Sequence, residues 1–257
     1  MKLLLFTVAL FTSLISEVAA QAPANIVIMT VEDPSNYDAV NSMRSFAEKE
    51  LRPLGHRVTL IEGDKPVSNH FAGLVEALKE ADLLVLFVRR RTPPKDQLDA
   101  VRAYLDAGKP LLGIRTANHA FVPKPKDPVQ DERLASWPEF TPEVLGGQNT
   151  GYETKGIPYS VSVLPGATGN PLLKGVNAEK IIGHNSLYKV LPLAPDATPL
   201  LLGTAQGQQP SQPIAWARLY GKSKARIFYT SLGAPDDMPQ PDVRRLLLNG
   251  IQWTLGK

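Results

Sequence analysis

The alternation of apolar and polar positions sets the first expectations. NIVIMT (Asn25 to Thr30) is a short apolar run, β-branched at its centre, and reads as a buried strand. In YDAVNSMRSFAEKELRPLG, Val40, Met43, Phe46, Ala47 and Leu51 recur at three- and four-residue steps, so one face of a helix is apolar. Pro53 and Gly55 close that helix. HRVTLIEG follows as a second strand and NHFAGLVEALKEA as a second helix, with Phe71, Leu74, Val75 and Leu78 on one face. DLLVLFV (Asp82 to Val88) is apolar throughout, as a parallel strand covered on both faces must be. Thr92 and Pro93 open a third helix through Ala107, Gly108 stops it, and PLLGI is a fourth strand. Strand and helix alternating over short connections predict an α/β protein, with a mostly parallel sheet and helices on both faces.

Beyond Phe121 the pattern changes. To Glu143 the chain loses periodicity and becomes rich in proline and charge, which reads as an excursion or lid with a short helix near Trp137. YSVSVLP, TPLLLGTA, PIAWARLYG and ARIFYTSLG then read as strands. PDVRRLLLNGIQWTLGK is a closing amphipathic helix, with Val243, Leu246, Leu247 and Ile251 on one side. Neither an internal repeat nor a second domain boundary is visible, so residues 21–257 are expected to form one domain.

The first residues bear on compartment. MKLLLFTVALFTSLISEVAAQA has a charged start at Lys2 and an apolar run from Leu3 to Ile15, with Val18 and Ala20 at minus three and minus one of a cut before Gln21. That is the pattern of a secretory signal peptide over residues 1–20, because the run is too short to span a bilayer and a small-residue site follows it. No later apolar run is long enough to cross a membrane, so the mature chain is expected to be periplasmic or secreted, without stable membrane insertion.

Composition narrows the chemistry. The 257 residues are 43% apolar and 21% charged, ordinary for a globular protein. A net charge of +3 without a basic stripe interleaved with aromatics argues against nucleic acid as a partner. There is no cysteine, which excludes disulfides and thiolate chemistry.

In a doubly wound sheet, ligands sit outside the carboxyl ends of the strands. Polar groups stand at those exits: Glu32 and Asp33 after the first strand, Arg89, Arg90 and Arg91 after the third, and Arg115, Thr116, Asn118 and His119 after the fourth. Each has a structural alternative. An arginine row is commonly a solvated edge. Glu32 and Asp33 suit the N-terminus of the next helix. Arg115, directly after an apolar strand, is costly to desolvate unless it meets a carboxylate or a ligand, and Glu32 or Asp33 can be that carboxylate. GHNSLYKV adds His184, Asn185, Ser186 and Tyr188, and TSLGAPDDM adds Asp236 and Asp237. LGGQNTGYETKG is glycine-rich, with Gln148, Asn149 and Tyr152, but lacks the spacing of a dinucleotide or phosphate-binding loop. No set of histidines and carboxylates has convincing metal-ligand spacing, and no cofactor is indicated.

The segments VEDPSNYD, ADLLVLFVRRRTPPKDQLDAVRAYLDAGKPLLGIRTANHAF, LGGQNTGY, HNSLYKVLPL and PIAWARLYGKSKARIFYTSLGAPDD, with RRLLLNGIQWTLG, resemble the ThuA-like (trehalose-utilisation) proteins over nearly all of the mature chain. The resemblance implies a class I glutamine amidotransferase-like fold, a flavodoxin-like doubly wound sheet, and an association with sugars, especially disaccharides and their 3-keto forms. True amidotransferases place a nucleophilic cysteine where Arg115 stands here, so glutamine hydrolysis through a thioester is excluded; a guanidinium only donates hydrogen bonds. Many relatives carry a histidine where Arg115, Tyr152 and Ala234 stand in this chain.

Three roles follow. The first is an enzyme on a carbohydrate or keto-sugar using acid/base chemistry, with His119 and Arg115 catalytic and Glu32, Asp33, Arg89, Arg90, Arg91, Asn118, Tyr152, His184 and Asp236 holding the substrate. The second is a non-catalytic sugar- or anion-binding module built from the same groups. The third is a structural role, marked by a closed, dry pair between Arg115 and Glu32 or Asp33.

Overall fold

The computed structural model describes residues 22–64, 68–124, 131–153, 156–206 and 210–257. The expected signal peptide, residues 1–20, lies outside them. Five strands lie parallel: β1 (Asn25–Thr30), β2 (Arg57–Glu62), β3 (Leu83–Phe87), β4 (Leu111–Ile114) and β9 (Ala225–Thr230). Four more continue the same sheet in antiparallel pairing: β5 (Tyr159–Val163), β6 (Ile182–Gly183), β7 (Thr198–Ala205) and β8 (Gln212–Tyr220). The order across the nine strands is β2-β1-β3-β4-β9-β8-β7-β5-β6.

The sheet is thus mixed rather than mostly parallel. The reason lies in the connections. β1 to β4 are joined through helices, which return the chain to the same end of the sheet. β7, β8 and β9 follow one another with no helix among the described residues between them, and each reverses the direction of the last.

Helices cover both faces. α1 (Ala39–Phe46) and α4 (Pro241–Thr254) bury Met43, Phe46, Val243, Leu246 and Ile251 against Ile26, Ile28, Leu83, Val85 and Phe87. α2 (Leu74–Glu80) and α3 (Lys95–Asp106) bury Leu74, Leu78, Leu98 and Val101 against Val27, Met29, Leu84 and Leu86. Neighbouring residues of β1 and β3 therefore serve opposite cores, which is why these strands are apolar without alternation. The first expected helix is α-helical only through Phe46; a wider turn over Ala47–Leu51 and a tight one over Arg52–Leu54 finish it. The second is shorter than expected because Gly73, with φ 75°, interrupts its start.

The excursion after Phe121 touches the sheet's carboxyl edge through Pro123, which accepts from Arg90, and Lys124, which reaches Asp33, but its described residues do not line the cavity there. Phe121, Trp137 and Phe140 are buried in the α2/α3 core, with ring centroids 4.9 and 5.3 Å apart, and Arg102 stacks on Trp137. Residues 125–130 lie outside the described residues. Among the described residues no helix is long and apolar enough to cross a membrane.

Candidate functional site

One buried side chain gathers the exits of three parallel strands. Asn36, fully buried after β1, donates through Nδ2 to the carbonyls of Val31 and Phe87, each at 3.0 Å. Its Oδ1 accepts from Thr116 Oγ1 at 2.6 Å. The ends of β1 and β3 and the turn after β4 are thereby fixed relative to one another, and a buried amide satisfied three ways is a rigid fastener.

These exits enclose an open cavity of about 690 Å³, within the roughly 300–1,000 Å³ common for small-molecule sites. Ser35, Tyr37 and Asp38 line it from the β1 side, Arg89 and Arg90 from the β3 side, and His119 from the β4 side. Asn149, Gly151 and Tyr152 close one wall and Asn185, Ser186 and Tyr188 another. Those two walls are laced together: Thr150 N donates to Lys189 O at 3.2 Å, and Lys189 N to Gly151 O at 2.9 Å. The paired glycines of the loop serve packing, since a Cβ on Gly147 would stand 2.8 Å from the Trp216 ring.

The arginine triplet divides by function. Arg91 is buried, donating to Asp33 Oδ2 at 2.8 Å and to the carbonyls of Arg89 and Arg90 at 2.9 and 2.8 Å. It holds the turn from which Arg89 and Arg90 face the cavity. Lys124 also reaches Asp33 Oδ2, at 3.3 Å. Burial alone would raise the Asp33 pKa, but the hydrogen bond and charge of Arg91, with help from Ser35 N and Lys124, hold it below the usual range. Asp33 is thus a partner of Arg91, not of Arg115, and does not line the cavity. Glu32 is exposed and does not line it either.

Arg115 lies beneath the floor. It is wholly buried, donating to Ser231 O at 2.7 Å and Ser186 O at 3.3 Å, and its guanidinium stacks on the rings of Tyr37 and Tyr188 at 4.2 and 4.8 Å. Burial opposes its charge, but the surrounding phenols of Tyr188, Tyr159 and Tyr37 more than compensate, so its pKa is raised. The expected carboxylate partner is replaced by carbonyls and ring faces, and the closed Arg115–carboxylate pair of the structural reading is not formed. Arg115 supports the two tyrosines that meet the ligand space instead of facing it.

His119 does face it, partly exposed. Its Nδ1 is in close contact with Asn118 Oδ1. In the tautomer that protonates Nδ1 toward this oxygen, Nε2 is left with its lone pair as the proton acceptor. Burial, then the charges of Arg90, Arg89 and Arg115, push the imidazole pKa down to about 3. Asn118 itself is buried and shapes the histidine rather than the cavity.

Two expected substrate contacts lie elsewhere. His184 stands 3.4 Å from Asp237 Oδ1, and Asp236 is exposed; neither lines the cavity. Asp237 is the buried member of that pair, accepting from the backbone of Gly233, Ala234 and His184 at 2.9, 2.9 and 2.8 Å. Tyr152 does line the site and is 61% exposed. Sequence reasoning passed over Tyr37 and Asp38, taken only as the lead into a helix, and over the role of Asn36. Among the described residues, no group of three or more histidines and carboxylates is placed to hold a metal ion.

Backbone strain marks the same place. Six non-glycine residues among those described have left-handed φ: Tyr37, Asp38, Arg90, Arg115, Asn185 and Lys224. Four of them line the cavity and Arg115 lies under it. Each such position costs about 1–2 kcal/mol, and this cost concentrates at sites where side chains must point in set directions.

The family profile described as ThuA, trehalose utilisation, matches residues 27–254. Among solved structures, the fold is similar to a ThuA-like protein of Bacteroides uniformis ATCC 8492, with TM-score 0.66 and 17% identity, covering 91% of this chain and 92% of that one. A ThuA-like protein of Parabacteroides merdae ATCC 43184 is as similar, with TM-score 0.66 and 16% identity over 91% of each chain. No curated protein matches the sequence. At these identities the structural likeness concerns the fold, but the profile spans nearly the whole domain, and the chain belongs to the ThuA (trehalose utilisation) family.

Proposed function

We propose that this ThuA-family protein is exported and acts on a carbohydrate or keto-sugar, moving a proton at the carbon beside a carbonyl. The observation that carries the reading is the convergence of Arg89, Arg90 and His119 on one cavity between tyrosines. Tyr152, 61% exposed, offers a ring face and hydroxyl suited to a sugar, and Tyr37 and Tyr188 line the wall beside it. His119 Nε2 takes the proton from the carbon; the electron pair moves onto the former carbonyl oxygen, where the guanidiniums of Arg89 and Arg90 hold the negative charge. Return of the proton to the former carbonyl carbon, with the hydroxyl proton of the adjacent carbon passing to the oxyanion, completes an isomerisation; departure of a group from the carbon next to the deprotonated one, as the carbonyl re-forms, completes an elimination. Hydrolysis by a carboxylate pair fits less well, because Asp38 supplies the only carboxylate among the described lining residues and that chemistry needs two. Export rests on the leader-like residues 1–20.

The second reading is a sugar- or anion-binding module without turnover: burial and the charges of Arg90, Arg89 and Arg115 hold the His119 imidazole at about 3, which makes it a weak proton acceptor near neutrality. Thermal-shift screening of the purified mature chain against sugars, keto-sugars and sugar acids, followed by product analysis, separates the two. The catalytic reading expects product with wild type and a loss of about 10²–10⁴ in rate for His119→Ala. Undiminished turnover by that variant overturns the assignment, and a stabilising ligand that yields no product establishes the binding module.

A further inference from the structure

The charges around the cavity do not balance. Arg89 and Arg90 line it, and among the described residues neither forms an ion pair with a carboxylate. Among the described residues the Arg90 guanidinium donates to Pro123 O, at 3.3 Å, and its pKa is lowered by burial and by the neighbouring charge of Arg89. Asp33, a buried carboxylate after β1, already serves both Arg91 and Lys124. Asp38 lines the cavity from the far side of the β1 loop, with its Oδ1 accepting from Asn41 Nδ2 at 2.8 Å. Arg115 adds a further positive charge below the floor. Two guanidiniums thus line one cavity, part-buried and without a carboxylate partner among the described residues, at a cost in mutual repulsion and desolvation. The turn that presents them is itself strained, with φ 44° at Arg90, and is kept in place by Arg91 donating to both their carbonyls. A neutral sugar gives nothing back for that cost. A carboxylate does, because two guanidinium forks meet its two oxygens directly.

We propose that the cavity selects sugars bearing a carboxylate (uronic or aldonic acids and their keto forms), with Arg89 and Arg90 gripping the acid group; this rests on the carbohydrate reading above. A phosphate is the less fitting oxyanion. Phosphate sites usually add a cradle of backbone N–H groups at a helix N-terminus, whereas the arginines here act from side chains. The inference also bears on His119. Burial is the larger cause of the depressed imidazole pKa, and the charges of Arg90 and Arg89 add to it, so a bound anion that neutralises them lifts part of the depression.

The test is calorimetric titration of the mature protein with four probes: glucuronate, glucose, glucose 6-phosphate and acetate. Glucuronate is expected to bind at least about tenfold more tightly than glucose, with affinity falling as salt rises. Arg89→Gln is expected to remove most of that preference, and so is Arg90→Gln; Arg89→Gln is the safer variant because Arg90 occupies the strained position. Equal affinity for glucuronate and glucose overturns the carboxylate inference and leaves the sugar reading standing. Tighter binding of the phosphate than of glucuronate overturns it in favour of a phosphosugar. Acetate binding as tightly as glucuronate keeps the anion site and removes the sugar reading. Binding of none of the four overturns both.

Discussion

The two ends of the parallel strands handle the same tasks in opposite ways. At the amino end, left-handed turns before β2 and β4 fall on Gly55 and Gly108, with φ 86° and 80°. Polar groups there are paired near the surface: Asn25 N with Asp82 at 2.8 Å, Asn25 Nδ2 with Glu80 O at 3.0 Å, and Ser223 Oγ with Asp106 O at 2.7 Å. At the carboxyl end Gly73 and Gly233 turn the chain as well, but left-handed positions are also occupied by Tyr37, Asp38, Arg90 and Arg115, and Nε of Arg91, Nε of Arg115 and Nδ2 of Asn118 are buried without partners. Lys224, in the turn before β9, is the exception at the amino end. The difference teaches where selection for side chains overrides selection for stability. Glycine is used where the chain only has to turn, and strained, charged or aromatic residues where a side chain must be aimed.

The comparison can be broken by mutation. The largest expected effect is at Arg115. Arg115→Ala removes the group between Tyr37 and Tyr188 and strands the carbonyls of Ser231 and Ser186, so denaturant unfolding should show a loss of about 3 kcal/mol or more. A loss below about 1 kcal/mol would mean that Arg115 faces the ligand rather than the scaffold.

The pH dependence comes next. His119 sits at about 3 in the fold and near about 6.5 in an unfolded chain. The unfolded chain therefore takes up the proton first, and stability falls as pH drops from about 6.5 toward 3. His119→Asn should lose less stability than wild type between about pH 7 and pH 5. That window lies above the carboxylate range, so the stability carried by the depressed Asp33 is lost only at lower pH and does not interfere. Parallel losses in the two proteins would contradict the cationic surroundings assigned to His119.

At the amino end, Gly108→Ala should cost about 2 kcal/mol, since its Cβ would stand 2.8 Å from Ser223 O at φ 80°. At the carboxyl end the reverse exchange, Asp38→Gly, should leave the protein between unchanged and about 1 kcal/mol more stable, because relief of the left-handed strain is offset by a floppier unfolded chain. Destabilisation by Asp38→Gly would show that this residue is placed for stability after all.

Much of the fold was legible because hydrophobic periodicity is a strong local signal. Asn25–Thr30 and Thr198–Ala205 match their apolar runs residue for residue. The mixed sheet was not legible, because an antiparallel strand such as Gln212–Tyr220 is apolar enough to pass for a parallel one. At the site, the placement of Arg89, Arg90, His119 and Tyr152 followed from strand exits and a glycine-rich loop. The fate of Arg91 and Arg115 did not, because a buried guanidinium satisfied by carbonyls and ring faces has the same sequence signature as one waiting for a ligand. Asn36 was invisible for a related reason: its three partners come from sequence positions as distant as Phe87 and Thr116.

The central claim is that His119 moves a proton inside a cation-lined sugar cavity. Its most direct measurement is solvent-deuterium incorporation, followed by NMR, at the carbon next to the carbonyl of a keto-sugar acid. The account predicts incorporation with wild type, slowed by about 10²–10⁴ in His119→Asn. Equal incorporation by both proteins, or none by wild type while the ligand is bound, would contradict it.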